Sequence, residues 1–157
     1  MKYRILREQQ LDCDIDTAWK FFSSPGNLSL ITPPEMNLKV EQGEGIKNIF
    51  TGMEINYTLT PLFKIPMKWK TKITQVDYPN SFTDLQLQGP YKYWNHHHEF
   101  LENEDGTLMK DTVEYQLPFG FLGSIVHQLL VRKKLKELFD YRHGVIGGHF
   151  HQKMPAL

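Results

Sequence analysis

Apolar and polar residues alternate through the middle of the chain, which is the pattern of a β-strand with one buried face. A sheet with one wet face is antiparallel rather than covered on both sides. We therefore predict an antiparallel sheet whose polar face carries several lysines. The apolar positions of its two clearest strands are Met53, Ile55, Tyr57 and Leu59, followed by Met67, Trp69, Thr71 and Ile73.

Three further strands are predicted from shorter patterns. Residues 3–14 carry few apolar side chains, which is typical of a strand that is not central. Residues 38–42 are short and precede a Gly-Glu-Gly turn. Residues 81–88 form a strand with two possible inward faces, and both remain open. One face presents Phe82, Asp84 and Gln86, and the other presents Leu85 and Leu87.

A hairpin is predicted where two alternating stretches flank residues 103–106. In one register Glu99 faces Lys110 as an ion pair on the wet side, and Phe100 faces Met109 on the dry side. A slip by one residue would mix the two faces, so this register is favoured. Its inward row is Trp94, His96, His98 and Phe100, opposite Tyr115, Val113, Asp111 and Met109 respectively, with Leu117 beyond them.

Helical periodicity predicts two main helices. A short helix begins near Asp14, which can cap it, and ends after Phe22. A long helix covers about residues 122–141. Its apolar residues form one set up to Leu130 and a second set on nearly the opposite side. The helix therefore bends near residues 130–132, or its second half buries a different face.

Glycines at 144, 147 and 148 predict a frayed end. We expect one domain over residues 1–146 and a flexible tail over residues 147–157. The basic cluster at residues 131–136 is expected to be a solvated face of the long helix. His149 and His151 are expected to be disordered.

Composition narrows the function classes. The chain has 157 residues, 40% of them apolar and 13% aromatic, which suits one domain with a bulky core or a lined pocket. Its 18 basic and 18 acidic residues cancel, so no nucleic-acid partner is expected. The single cysteine, Cys13, excludes an intrachain disulfide, and its two aspartate neighbours disfavour a nucleophilic thiolate. With neither a signal peptide nor a transmembrane segment recognised, a cytoplasmic location is expected.

The order of strand, two short helices, a run of strands and a long helix is that of the helix-grip fold. Several stretches match one family at motif level: WKFFSSPGNL at 19–28, TPP at 32–34, GPY at 89–91 with Trp94 and His96, DTVEYQLPFG at 111–120 and FDYR at 139–142. In these stretches the chain resembles the bacterial START/Bet v1-like (SRPBCC, polyketide-cyclase-like) ligand-binding proteins. This resemblance implies a curved antiparallel sheet of about seven strands around the long helix, with a cavity between them. It transfers no catalytic residue.

His96, His98 and Asp111 are three polar residues in an otherwise apolar inward row, and four interpretations stay open. In the first, the three residues bond to one another or to a buried water. In the second, they orient the polar end of a ligand. In the third, they act as a general acid and base, and in the fourth they bind a metal as a two-histidine, one-carboxylate site. His97 faces outward in this register and is not a third ligand.

We expect no cofactor and no metal. The cavity wall is predicted to contain Met53, Ile55, Tyr57, Met67, Trp69, Thr71, Ile73, Trp94, His96, His98, Phe100, Asp111, Val113, Tyr115, Ile125 and Leu129.

These features predict binding or carriage of a hydrophobic or aromatic small molecule or lipid. One alternative is an acid–base enzyme, cyclase- or dehydratase-like, that uses His96, His98 and Asp111. Another is an interaction module that dimerises through the second apolar face of the long helix.

Overall fold

The computed structural model describes residues 1–42, 45–60, 65–118 and 130–151. The elements within these ranges are β1 (Tyr3–Leu11), α1 (Ile15–Phe22), 3-10 turns at Pro25–Ser29 and Pro34–Met36, β2 (Lys39–Gln42), β3 (Glu54–Leu59), β4 (Met67–Asp77), β5 (Ser81–Gln88), β6 (Tyr93–Asn103), β7 (Gly106–Gln116) and α2 (Arg132–Phe150). The seven strands form one sheet in the order β1-β7-β6-β5-β4-β3-β2, and every neighbouring pair is antiparallel. The predicted antiparallel sheet with a C-terminal helix is confirmed.

The predicted register of the β6–β7 hairpin is confirmed, with His98 opposite Asp111 and Phe100 opposite Met109. The connection is shorter than predicted, because the pairing continues to Asn103 and Gly106. Gly106 has a φ of 118°, and a Cβ added there would lie 2.4 Å from a backbone oxygen of β1. Glycine thus permits the close approach of the hairpin to its neighbouring strand.

The outer face of the hairpin differs from the prediction in one contact. Lys110 faces Glu99 as predicted, but its ion pair is with Glu8 of β1, at 3.5 Å. The reason is that β7 lies between β6 and β1, so Lys110 has an acidic neighbour on each side.

The first strand ends earlier than predicted, at Leu11, because the chain turns into α1. Asp14 caps that helix as predicted, accepting a hydrogen bond of 2.8 Å from the backbone N–H of Thr17. Trp19 of α1 is buried against the sheet, with edge contacts to Phe82 and Phe100.

The structure also decides which face of β5 points inward. Phe82 is buried and Asp84 is opposite His96, whereas Leu87 is 47% exposed. The sequence could not decide this face because both sets of alternating residues contain large apolar side chains. An irregularity in β4, between Ile73 and Gln75, also shifts the register of pairing between β4 and β5.

Helix α2 continues to Phe150, so its predicted end near Tyr141 was wrong. Gly147 and Gly148 are helical and Phe150 is buried, so the predicted start of a flexible tail at residue 147 was also wrong. Phe150 holds the last turn in place by packing on Phe21 and Phe22 of α1, with ring centroids 5.3 and 6.0 Å away.

The start of the predicted long helix, residues 122–129, lies outside the described residues. Residues 130 and 131 are π-helical, at the place where a bend was predicted. Val131, Leu135 and Phe139 are buried within the chain and Leu138 borders the cavity. These residues therefore do not form the exposed apolar face that the dimerisation alternative requires. No helix within the described ranges is both long enough and apolar enough to cross a membrane.

Candidate functional site

A cavity of about 790 Å³ lies between the concave face of the sheet and α2. Most of the side chains on its wall are apolar or aromatic, and they come from α1, the 3-10 turns, the sheet and α2. The wall also contains polar side chains, four of which come from adjacent strands of the sheet. The wall residues on which the following argument depends are Tyr57, Trp69, Tyr91, Trp94, Leu138, Asp84, His96, His98, Asp111 and Arg142.

Three aromatic rings pack together on the sheet side of the cavity. Trp69 lies at right angles to Trp94, with centroids 5.4 Å apart, and Tyr91 contacts both, at 5.6 and 4.7 Å. Edge-to-face contacts of this kind are favourable because the positive ring edge meets the negative face. The cavity therefore has a rigid aromatic surface at this side.

Three adjacent strands place four polar side chains together. His96 and His98 are two residues apart on β6, so both point inward. Asp84 on β5 is opposite His96, and Asp111 on β7 is opposite His98. We call these four residues the His–Asp cluster. Because all four come from paired central strands, their positions are set by backbone hydrogen bonds on both sides.

Each imidazole of the His–Asp cluster lies between the two carboxylates. His98 Nδ1 is 2.8 Å from Asp111 Oδ1, and its Nε2 is 3.4 Å from Asp84 Oδ2. His96 Nε2 is 3.3 Å from Asp111 Oδ1, and its Nδ1 is 3.7 Å from Asp84 Oδ2. The centroids of the two imidazole rings lie 3.8 Å apart. One edge of this ring pair faces Asp84, and the opposite edge faces Asp111.

Burial and mutual charge set the protonation of the His–Asp cluster. Burial lowers the pKa of His96, and the charge of His98 lowers it further. Burial also opposes the charge on His98, but the carboxylates of Asp111 and Asp84 outweigh it and raise the pKa of His98 to about 9. For Asp111, burial raises the pKa, while His98 and His96 lower it by more, to well below its usual range. The surroundings thus favour the charged form of His98 and disfavour that of His96.

Three atoms of the His–Asp cluster are buried without a well-directed hydrogen bond to the residues that the structure describes: His96 Nε2, His98 Nδ1 and Asp111 Oδ1. The short 2.8 Å contact between His98 and Asp111 shows that charge attraction holds this pair although its direction is poor. Because these three atoms face one another, the partners of this buried group lie within the His–Asp cluster itself.

Arg142 brings a positive charge to the cavity wall from α2. Its Nε donates a hydrogen bond of 3.3 Å to the backbone oxygen of Ile31, and its guanidinium lies over the Phe139 ring at 5.4 Å. Burial lowers the pKa of Arg142, while the charges of Asp111 and Asp84 favour its charged form. A guanidinium has five N–H donors, so this side chain can also donate to a group inside the cavity.

The structure distributes the predicted wall residues among three places. Met53, Phe100, Val113 and Tyr115 are buried in the packed core rather than on the wall. Phe100, for example, is covered by Trp19 and Phe22 of α1. Ile125 and Leu129 lie outside the described residues. The remaining predicted residues border the cavity: Ile55, Tyr57, Met67, Trp69, Thr71, Ile73, Trp94, His96, His98 and Asp111.

Two polar residues of the site were not predicted. Asp84 belonged to a strand whose inward face was ambiguous. Arg142 occurs at helical spacing among Leu135, Phe139 and Ile146, which are buried. A charged residue at an inward position of an apolar helical stripe is the signal that would have identified it.

The other residues considered from the sequence lie away from the His–Asp cluster. His97 is on the opposite face of β6, with its Nδ1 2.8 Å from Thr83 Oγ1. His149 packs on Phe21, with centroids 4.6 Å apart. Burial and the charges of Asp14 and Asp12 raise the pKa of Cys13 to about 11, which opposes formation of a nucleophilic thiolate.

No protein-family model and no curated protein matches the sequence. Solved structures do match the fold. Protein CV1439 from Chromobacterium violaceum superposes with a TM-score of 0.73 at 8% identity, covering 96% of this chain and 99% of that one. Major latex-like protein 151 from Panax ginseng gives 0.68 at 14% identity, covering 96% and 98%. TTHA0849 from Thermus thermophilus gives 0.65 at 15% identity, covering 95% and 99%. The chain therefore has the Bet v1/SRPBCC-like fold that the sequence resemblance implied.

Proposed function

We propose that the protein binds an apolar or aromatic small molecule, or a lipid, in its internal cavity. The cavity of about 790 Å³, with its mainly apolar and aromatic wall, is the observation that carries this proposal. Sites for small molecules are typically clefts of roughly 300–1,000 Å³ with a few convergent polar groups. Protein interiors otherwise pack as densely as organic crystals, so a space of this size favours an occupant.

The two parts of the wall suit two parts of such a ligand. Trp69, Tyr91 and Trp94 offer an aromatic surface to its apolar body. Arg142 and the His–Asp cluster can orient a polar group, because charged groups in an apolar cavity interact strongly with a buried partner. The ligand class supported by this arrangement is an apolar molecule with one polar or anionic end.

Binding can be tested with anilinonaphthalene sulfonate, an aromatic anion whose emission rises in apolar surroundings. Wild-type protein should bind the dye saturably at one site per chain. Leu138→Trp places a larger side chain on the cavity wall and should weaken binding at least tenfold. Competition by a long-chain fatty acid or by a neutral polycyclic aromatic compound then decides between the lipid and aromatic ligand classes.

The matched control is Lys133→Trp, since this side chain is 75% exposed on the same helix. It should bind the dye as the wild type does. Equal dye affinity in Leu138→Trp, Lys133→Trp and the wild type would show that the dye binds elsewhere and would refute the cavity as the site.

The contacts between imidazoles and carboxylates in the His–Asp cluster also support acid–base catalysis as a second candidate. The two candidates differ in the effect of His98→Ala. In a carrier this substitution changes only ligand affinity, whereas in an enzyme it abolishes turnover of a bound substrate. Turnover that persists in His98→Ala would eliminate the enzyme candidate that uses this residue.

A further inference from the structure

The pair of imidazole rings in the His–Asp cluster has two edges, one facing Asp84 and the other facing Asp111. On one edge His98 Nε2 and His96 Nδ1 face Asp84 Oδ2 at 3.4 and 3.7 Å. Both distances exceed the range of about 2.7–2.9 Å expected of a charge-assisted N–H···O bond. On the other edge the remaining two nitrogens lie at 2.8 and 3.3 Å from Asp111 Oδ1. The edge that faces Asp84 is therefore the looser one.

The separations on this looser edge suit donors that share a metal ion. Donor atoms about 2.0–2.1 Å from a tetrahedral metal lie roughly 3.3–3.4 Å from one another. One donor atom from each of Asp84, His96 and His98 can be chosen so that all lie within 4.8 Å of one another. The two distances from Asp84 Oδ2, 3.4 Å to His98 Nε2 and 3.7 Å to His96 Nδ1, are already close to this separation.

We propose that Asp84, His96 and His98 bind a divalent transition-metal ion at the wall of the cavity. Two imidazoles and one carboxylate are the donor set that suits Zn²⁺ and Fe²⁺. Three protein ligands leave at least one coordination position, which opens towards the cavity that these residues border. A water molecule or the polar group of a cavity ligand can take that position.

Asp111 is a positioning residue in this arrangement. Its Oδ1 is within reach of the N–H groups on the far side of both imidazoles. An acceptor there selects the tautomers whose lone pairs point towards Asp84, and it strengthens the imidazoles as ligands. Binding of the ion displaces the proton that the carboxylates favour on His98, because only a neutral imidazole is a ligand. The divalent cation then replaces this charge beside Asp84 and Asp111.

The proposed metal site departs from the expectation that the chain holds no metal. The hairpin register predicted from the sequence placed one carboxylate, that of Asp111, beside the two histidines. A single carboxylate there can be a hydrogen-bond partner of the imidazoles as readily as a metal ligand. The second carboxylate supplies the missing ligand. It became part of the cluster only when the structure placed the Asp84 face of β5 inward, opposite His96.

The test is metal binding by protein stripped with EDTA. Zn²⁺ is titrated by calorimetry, and Co²⁺ is followed by its visible absorption, which intensifies in sites of low coordination number. Wild-type protein should bind one ion per chain. His96→Ala, His98→Ala and Asp84→Asn should each weaken binding at least 100-fold, and Asp111→Asn should weaken it 10–100-fold, as is typical of residues that support a metal ligand.

His97→Ala is the matched control, because this histidine is adjacent in sequence but points to the opposite face of β6. It should bind both ions as the wild type does. Absence of stoichiometric binding by the wild type, or equal affinity in His96→Ala and the wild type, would overturn the proposal.

A measurement on the unmodified chain covers the case in which the substitutions prevent folding. Zn²⁺ should shift the ring nitrogen resonances of His96 and His98 in long-range nitrogen–proton spectra and leave those of His97 in place. Unchanged resonances for His96 and His98 would overturn the proposal. Dye binding in EDTA reports on the cavity separately, so failure of the metal site is distinguishable from failure of the proposed ligand binding.

Discussion

Removal of the Asp111 carboxylate tests whether the His–Asp cluster is the buried, charge-paired group that the geometry describes. Asp111 is only 7% exposed and lies 2.8 Å from His98 Nδ1 and 3.3 Å from His96 Nε2. In Asp111→Ala both buried nitrogens lose this neighbour, and His98 loses its closest carboxylate. Breaking one partner out of a buried ion pair costs about 3–5 kcal/mol.

The cost is measured by urea unfolding near neutral pH with EDTA present, so that metal binding makes no contribution. In thermal unfolding the same loss of about 3–5 kcal/mol should lower the melting temperature by about 6–20 °C in a domain of this size. Asp111→Asn keeps an oxygen that can accept one N–H group, so it should lose less than Asp111→Ala.

Glu102→Ala serves as the control, because this acidic residue is exposed on the same hairpin. Its stability should stay within about 0.5 kcal/mol of the wild type. If Asp111→Ala were no less stable than Glu102→Ala, the carboxylate would not be a buried partner of the histidines, and the described cluster would be incorrect.

Three further predictions concern separate parts of the molecule. Gly106→Ala should destabilise the hairpin by about 1–3 kcal/mol in urea unfolding, because of its positive φ and the close backbone oxygen of Leu11; wild-type stability would contradict this. Cys13 has a pKa raised by partial burial and by Asp14 and Asp12, so it should react with iodoacetamide more slowly in the folded protein than after unfolding in urea, under mildly alkaline conditions; equal rates would contradict the raised pKa. Arg142→Met should weaken binding of the anionic dye about tenfold and leave a neutral dye such as Nile red unaffected, whereas equal losses for both dyes would show that the guanidinium does not recognise the anionic group.

The parts of the fold that depend on neighbouring residues could be predicted from the sequence. The hairpin register follows from short-range alternation and a turn, so His98 and Asp111 could be placed opposite each other before the structure was known. The helix-grip order likewise follows from the sequence of periodic stretches. These features need no information about distant contacts.

The remaining parts depend on tertiary packing. The glycines at 147 and 148 are weak helix formers, but Phe150 packs on α1 and keeps them helical. The face of β5 depends on its pairing with the strands on both sides, in which Asp84 lies opposite Ile73 of β4 and His96 of β6, and no local pattern in β5 records this. Prediction of Arg142 as a site residue would have required knowing which face of the helix borders the cavity, since charged residues are usually expected on the solvent side.

The most direct test of the central claim is native mass spectrometry of the freshly purified protein, followed by denaturing extraction of any bound compound. We expect a near-stoichiometric adduct of a mainly apolar compound, and Leu138→Trp should carry less of it than Lys133→Trp. A wild-type protein that carries no adduct, and that takes up neither a fatty acid nor an aromatic compound when these are added, would contradict the claim that the cavity binds a ligand.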